Sequence, residues 1–505
     1  MKKLALFFGA GAECSYGLPS GGKFALDIFR MDTGKDKECL KSQLSQVESQ
    51  STYAKWLPDD YQSRKLTAFT KGQYDTIVKG SLENKRGVIL DYLKNFDASV
   101  SNIVTQLEKQ GKDIENDFRE LLNQDIGSFN FGKDIKLNKF FDEDVNRLFA
   151  SDYFSGFLKA IQIEDVDSHF KKSIRNITRA ILELLIGSIG EELMHRLNDG
   201  IFEKSPDSID LFDDLGAVFT LDYKNTGMRG LELLIDYEGK ELDTKEGHII
   251  EFGLLILEDI YSRALDYQTL IDSNWRYIYN PQTDWGKFSK IVIFLHTVKR
   301  YIEGIAQDSR EKIAAGNGYY HDIIQLKKEY EINAIGTTNY NSFIEEIINQ
   351  DIAYLNGSVH DYYDPYLNKI VSSEENQQKK HIVVPFLFTQ SGIKPLTSVK
   401  MSERYVKLFN DFKEADSICV IGFGFNSDDG HINGMFRELI EDYNKEIVIL
   451  HYSGLSDVPT KLLLKQYQNK LRLDSNSGIK IIKVDGNRKD IETGKIWYSS
   501  LANNI

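Results

Sequence analysis

The sequence predicts an α/β protein: a doubly wound parallel sheet interrupted by a large, mainly helical insertion. Three observations carry this. A short apolar run, "LALFF" from Leu4, ends abruptly in Gly-Ala-Gly. From residue 326 onward, apolar runs alternate with amphipathic segments, the pattern of parallel strands joined by crossover helices. In between, residues 31–325 carry the 3.6-residue period of helices.

The first strand, Leu4–Phe8, has no partner strand nearby in sequence, so it is expected to pair with the C-terminal sheet. Residues 1–30 and 326–505 then form one α/β domain, and residues 31–325 are the insertion. Within the insertion, Ile174, Ile177, Ile181, Leu184 and Leu185 mark one helix face. "EFGLLILEDIYSRALDY" from Glu251 and "FSKIVIFLHTVKRYIEGI" from Phe288 read the same way, and "TGKDKE" from Thr33 reads as a solvated loop. "AVFTLDYKNTG" from Ala217 faintly echoes "NAIGTTNYNSF" from Asn333, as a chance strand-turn lookalike.

After residue 326 the expected strands are "INAIGTTN" from Ile332, "IAYLNGS" from Ile352, "HIVVPFLF" from His381, "DSICVIGFGF" from Asp416, "EIVILHYSG" from Glu446 and "IKIIKVDGN" from Ile479. Helices are expected at "NSFIEEIIN" and "SERYVKLFNDFKEA". Continuous apolar runs such as "ICVIGF" suit strands buried on both faces.

Composition narrows the function classes. Of 505 residues, 27% are charged and 41% hydrophobic, as in soluble globular proteins. The net charge is -14 and no long basic block occurs, so binding of nucleic acid by bulk electrostatics is not expected. The three cysteines, Cys14, Cys39 and Cys419, are scattered and form no CxxC pair. Neither a zinc ribbon nor a disulfide framework is expected, which fits a reducing cytoplasm. "MKKLALFF" breaks at Gly9 and lacks the apolar core of a secretion signal. The richest apolar stretch, "AILELLIGSIG" from Ala180, contains Glu183 and reads as an amphipathic helix, not a membrane span.

In a doubly wound sheet, ligands bind beyond the carboxyl ends of the strands, where the strand order reverses. Gly9-Ala10-Gly11 follows the first strand. Glycines there let backbone N–H groups approach a pyrophosphate. The third glycine of the dinucleotide fingerprint is missing, since Cys14 stands at its position. Taken alone, the turn reads equally as a tight ligand-free βα connection.

Four segments together are more specific. Gly9-Ala10-Gly11, five residues, then Gly17-Leu18-Pro19 resembles the Gly-Ala-Gly-x5-Gly-Ile-Pro nucleotide loop of sirtuins, with Ser15 where that loop carries serine. "TTNYNSF" from Thr337 resembles their Thr-Gln-Asn-Ile-Asp segment, and still more the Thr-Thr-Asn-Tyr-Asp of sirtuin-like proteins of bacterial antiphage defence. "YLNGSVHDYYDP" from Tyr354 is similar to their Leu-His-Gly-Ser segment. "VIGFGFNSDDGHIN" from Val420 is similar to their Gly-x-Phe-x-Asp-x-His-Ile-Asn strand end. The resemblance spans residues 1–30 and 326–505 and leaves the insertion uncovered.

The resemblance implies a Rossmann-like domain without a zinc ribbon. It further implies NAD as substrate, cleaved to nicotinamide and ADP-ribose without a metal, so that NAD depletion arrests an infected cell. The residues expected to bind NAD are Gly9, Ala10, Gly11, Ser15, Pro19, Thr338, Asn341, Gly422, Gly424 and His431, and also Glu13, which stands where the sirtuin loop carries a small residue. Asn339 and position 356 carry the chemistry. Here the chain departs from the pattern: Asn356 stands where the catalytic His is expected, and Asn341 where an Asp is expected. Asn in place of His keeps hydrogen bonding but removes proton transfer, worth about 10²–10⁴-fold. His360 or Asp361 is the nearest substitute, and His360 reads also as an exposed loop residue. Glu13 binds a ribose hydroxyl or points to solvent. His431 contacts ribose or phosphate or caps the next helix. Asp485 takes a ribose or forms a turn with Gly486. Cys14 reads as small filler.

Three readings follow. The first is an NAD glycohydrolase. The second is a catalytically impaired nucleotide-binding sensor or scaffold. The third, protein deacylase, ranks last because the zinc module is absent. An enzyme that destroys NAD needs restraint, so a sensor or activator protein, or a nucleotide signal, and a homo- or hetero-oligomer are expected, with the acidic insertion as the contact.

Overall fold

The computed structural model describes the chain except residues 20, 129–145, 165, 190–207, 211–219, 223–226, 238–242, 266–274, 388–397, 427–428, 454–457 and 502–505. The expected run at Ala217 falls mostly outside the described residues, with a short strand at Thr220–Asp222.

The main sheet has six parallel strands: β1 (Lys2–Phe8), β2 (Tyr330–Thr337), β3 (Ala353–Tyr354), β4 (Ser417–Ile421), β5 (Ile447–Tyr452) and β6 (Ile479–Val484). Their order is β6-β5-β4-β1-β2-β3. That is the doubly wound order 3-2-1-4-5-6 read from the other edge, with its reversal between β1 and β4. As expected, β1 pairs with strands hundreds of residues away, β2 on one side and β4 on the other.

Alternation along β1 builds a core on each face. Leu4, Leu6 and Phe8 join the helices Tyr319–Leu326 (α1) and Phe343–Ile348 (α2), together with Trp497. Ala5 and Phe7 join the helices Val399–Glu414 (α3) and Gly430–Glu441 (α4). Phe7 meets Phe423 and Phe436 edge-on, each with its ring centroid 5.1 Å away, the favoured geometry for buried rings.

Strand register fixes where the four segments end. Phe8 aligns with Thr337 on one side and Ile421 on the other. Thr337 aligns with Tyr354. The chain therefore leaves β1, β2, β3 and β4 at one level, and Gly9, Thr338, Leu355 and Gly422 share one edge of the sheet.

Three expectations change. "HIVVPFLF" is not in the parallel sheet: Val384–Pro385 pairs antiparallel with Tyr362–Asp364 in a separate three-stranded sheet. Pro385 has no N–H to donate, which disfavours a central strand. "TGKDKE" is not a loop but the start of the helix Gly34–Gln46. Asp36 is buried there because the Arg300 guanidinium and the Thr297 hydroxyl both donate to it. Finally, residues 31–69 and 268–325 group with the sheet, not with the insertion. The helix Trp285–Asp308 packs on Gly34–Gln46 and on Val384–Pro385.

The chain thus divides into two compact units: residues 1–20, 31–69 and 268–505, and residues 21–30 and 70–267. Among the described residues, the second is helical apart from the short pair Ser208–Asp210 and Thr220–Asp222. Its helix Lys245–Ala264 lies against Gly21–Arg30, Ile114–Leu122 and Ser168–Ile189. Ile174, Ile177, Ile181, Leu184 and Leu185 are all buried, as their spacing predicts. Among the described residues, no helix is long and apolar enough to cross a membrane.

Candidate functional site

The loop after β1 folds into two successive 3-10 turns, Ala10–Ala12 and Cys14–Tyr16. The turns send Ala12, Glu13 and Tyr16 inward and leave Ala10, Gly11, Cys14 and Ser15 exposed. Gly17 ends the second turn in the left-handed region, at φ 86°, where glycine is favoured. Pro19 follows, partly exposed. The Ser15 hydroxyl donates to the Ala12 carbonyl.

The loop is pinned to the end of β4. The Gly9 N–H donates to the Ile421 carbonyl and the Gly11 N–H to the Gly422 carbonyl, both at 2.9 Å. These two amides therefore hold backbone to backbone at the switch point. Gly424 lies just beyond, its carbonyl accepting from Lys470 Nζ at 2.7 Å.

Inside the loop is a buried polar cluster drawn from three segments, the loop itself, α1 and the stretch after β2. Glu13 is 6% exposed, Asn339 5% and Asn341 3%; Asn356, after β3, is likewise buried, at 2%. Tyr320, from α1, donates its hydroxyl to Glu13 Oε1 at 2.6 Å, and Asn341 Nδ2 donates to Glu13 Oε2 at 2.6 Å. Asn339 Nδ2 donates both to the Gly9 carbonyl at 3.1 Å and to the Tyr320 hydroxyl at 3.0 Å. The backbone sets these amides: Thr338 N–H donates to the Phe8 carbonyl, Asn339 N–H to Thr337 Oγ1, and Phe343 N–H to Asn341 Oδ1.

Burial pushes the Glu13 carboxyl up to about 7, and the hydrogen bonds from Tyr320, Asn341 and Asn339 oppose this only in part. No cation neutralises it: among the described residues, Lys, Arg and His form no ion pair with Glu13. Burial likewise pushes the Tyr320 hydroxyl well up, so it stays a donor. Burial and the Glu13 charge push the Cys14 thiol up, against a nucleophilic role.

A second layer orders Tyr320. The Tyr16 hydroxyl accepts from the Tyr320 N–H at 3.0 Å and meets His321 Nδ1 at 3.0 Å. Its ring stacks on Tyr320 with centroids 5.4 Å apart. Tyr16 thereby satisfies free amides at the start of α1.

Other expected site residues lie elsewhere. His360 is exposed and lines a cavity of about 590 Å³ with Tyr354, Asp361 and Arg404, and Asn356 is not part of that lining. Asp361 is held by Arg404 in a bidentate pair at 2.7 and 2.9 Å. His431, at the start of α4, faces Tyr405 with ring centroids 5.5 Å apart. Asp485 takes the turn role, accepting from the N–H groups of Asn487 and Lys489. Nothing in the sequence marks Tyr320. It falls just before residue 326, in no motif, and only the fold carries it to the loop. Among the described residues, no group of three His, Cys, Asp or Glu is arranged to hold a metal ion.

No family model matches the chain, and no curated protein is significantly similar to it.

Proposed function

We propose that the chain is an NAD glycohydrolase that releases nicotinamide and ADP-ribose. One observation supports this above the others: the four segments that resemble the sirtuin-like pattern end at one sheet edge, beside the strand-order reversal, around a buried amide and carboxylate cluster. Crevices at that position are the usual ligand sites of doubly wound sheets.

The chemistry asks little of the protein. The leaving nicotinamide is a pyridinium cation and departs neutral, so no general acid is needed. The ribose passes through an oxocarbenium-like state, which fixed amides and exclusion of water favour. The role in antiphage defence, by NAD depletion in the cytoplasm, follows from the resemblance. So does control by an activator, a nucleotide signal or assembly.

The test is release of nicotinamide and ADP-ribose from NAD by the full chain and by Asn356→His. Release by neither variant overturns the proposal. A second reading, nucleotide binding without turnover, is favoured by the buried Asn356 at the position of the expected base and by the exposure of His360. Calorimetry with NAD and ADP-ribose distinguishes the two: tight binding of both with no release supports the sensor.

A further inference from the structure

We infer that Glu13 is the proton acceptor of this site, its carboxylate standing in for both the acid expected at position 341 and the base expected at position 356. The inference rests on the NAD-cleaving reading and assigns the group that reading lacks.

The two loop departures from the family pattern are in contact. Where the resemblance expects a small residue, the loop carries Glu13, and where it expects an acid, the segment after β2 carries Asn341. These two side chains meet at 2.6 Å. The carboxylate has changed sides of one hydrogen bond, and the pair keeps one acid and one partner.

A purely structural role suits an acid poorly here. Burying a carboxylate without a cation disfavours its charged form, whereas a glutamine of the same shape carries no such penalty. Glu13 Oε1 accepts from Tyr320 and Oε2 from Asn341, and a carboxylate oxygen has two acceptor sites. The titratable groups that face it are Tyr320 on α1, Tyr354 on β3 and Cys14 of its own loop, all pushed up and so neutral near pH 7. Glu13 is therefore the one member of this set that exchanges a proton near neutrality. The competing groups are engaged elsewhere: Asp361 with Arg404, His321 with Tyr16, and His360 at the exposed cavity that Asp361 and Arg404 line.

In the step so assigned, the bond from ribose C1′ to the nicotinamide nitrogen breaks and its electron pair neutralises the ring. A water oxygen bonds to C1′, and the water proton passes to the Glu13 carboxylate, then to solvent. NAD and water give ADP-ribose, nicotinamide and one proton.

The test is the pH profile of nicotinamide release by the full chain between about pH 5 and 9, with Glu13→Gln, Glu13→Asp and the exchange Glu13→Gln/Asn341→Asp alongside. The wild type should gain kcat/KM as pH rises through a limb near 7. Glu13→Gln should lose about 10²–10⁴-fold in kcat, with KM little changed, and should lose the limb. Glu13→Asp should keep a limb at lower rate, and the exchange should regain part of the activity. A wild-type profile flat across neutrality overturns the assignment without any variant. So does a limb that survives in Glu13→Gln, or a silent wild type beside an active Asn356→His, and in these cases the NAD-cleaving reading stands. Silence of both wild type and Asn356→His removes the reading and the assignment together.

Discussion

Gly11 and Gly422 lie against each other where β1 and β4 end. The Gly11 N–H donates to the Gly422 carbonyl at 2.9 Å, and Gly422 sits at φ 67°. A Cβ on Gly422 would stand 2.1 Å from the Ala12 nitrogen. The contact is backbone on backbone, so no rotamer change relieves it. It holds the loop that carries Glu13 onto the rest of the sheet edge.

Gly422→Ala should therefore strongly destabilise the sheet unit. Left-handed backbone alone costs an alanine about 1–2 kcal/mol, and the backbone clash should bring the loss to about 3 kcal/mol or more. All four tryptophans, Trp56, Trp275, Trp285 and Trp497, lie in this unit, so urea denaturation followed by tryptophan fluorescence reads it. An unchanged midpoint would refute the close-approach account.

Stability should fall as pH rises from 4.5 to about 7 through Glu13. Its carboxyl is raised in the fold, from 4.5 to about 7. The protonated form therefore favours the native state, an advantage fully present below 4.5 and lost as pH rises through about 7. The interval corresponds to roughly 3 kcal/mol. The stability difference between wild type and Glu13→Gln, measured across this range, isolates the effect from other carboxylates. A difference independent of pH would count against a buried, raised Glu13.

Asn339→Ala removes the amide that donates to the Gly9 carbonyl and to the Tyr320 hydroxyl. Leaving buried acceptors without donors should cost about 1–3 kcal/mol. Under the NAD-cleaving proposal, loss of this positioned donor should also lower kcat by about 10²–10³-fold. Retained nicotinamide release at the wild-type rate would exclude Asn339 from the chemistry.

Arg404→Lys tests the loop that follows β3. Arg404 grips Asp361 through two nitrogens and is only partly exposed. A lysine offers a point charge without the planar fork, so a loss of about 1 kcal/mol is expected in thermal or urea unfolding. Nicotinamide release should change little, since the pair lies at the cavity of His360.

What the sequence determined by itself was periodic or local. The apolar run of β1, the strand-helix alternation after residue 326 and the helix face at Ile174–Leu185 follow from side-chain spacing. So do the tight bends at Gly9–Gly11 and Gly17. Each depends on neighbours a few residues apart, and the buried strands and helices appear where the spacing puts them. The tertiary structure alone decided which polar groups share a partner. Glu13 reads as a loop acid free to face solvent until Asn341 and Tyr320, 328 and 307 residues away, come to its two oxygens. Asp36 reads as part of a solvated loop until Arg300 reaches it. A buried charge is admissible only beside specific donors, and chain topology, which no local period encodes, brings those donors in.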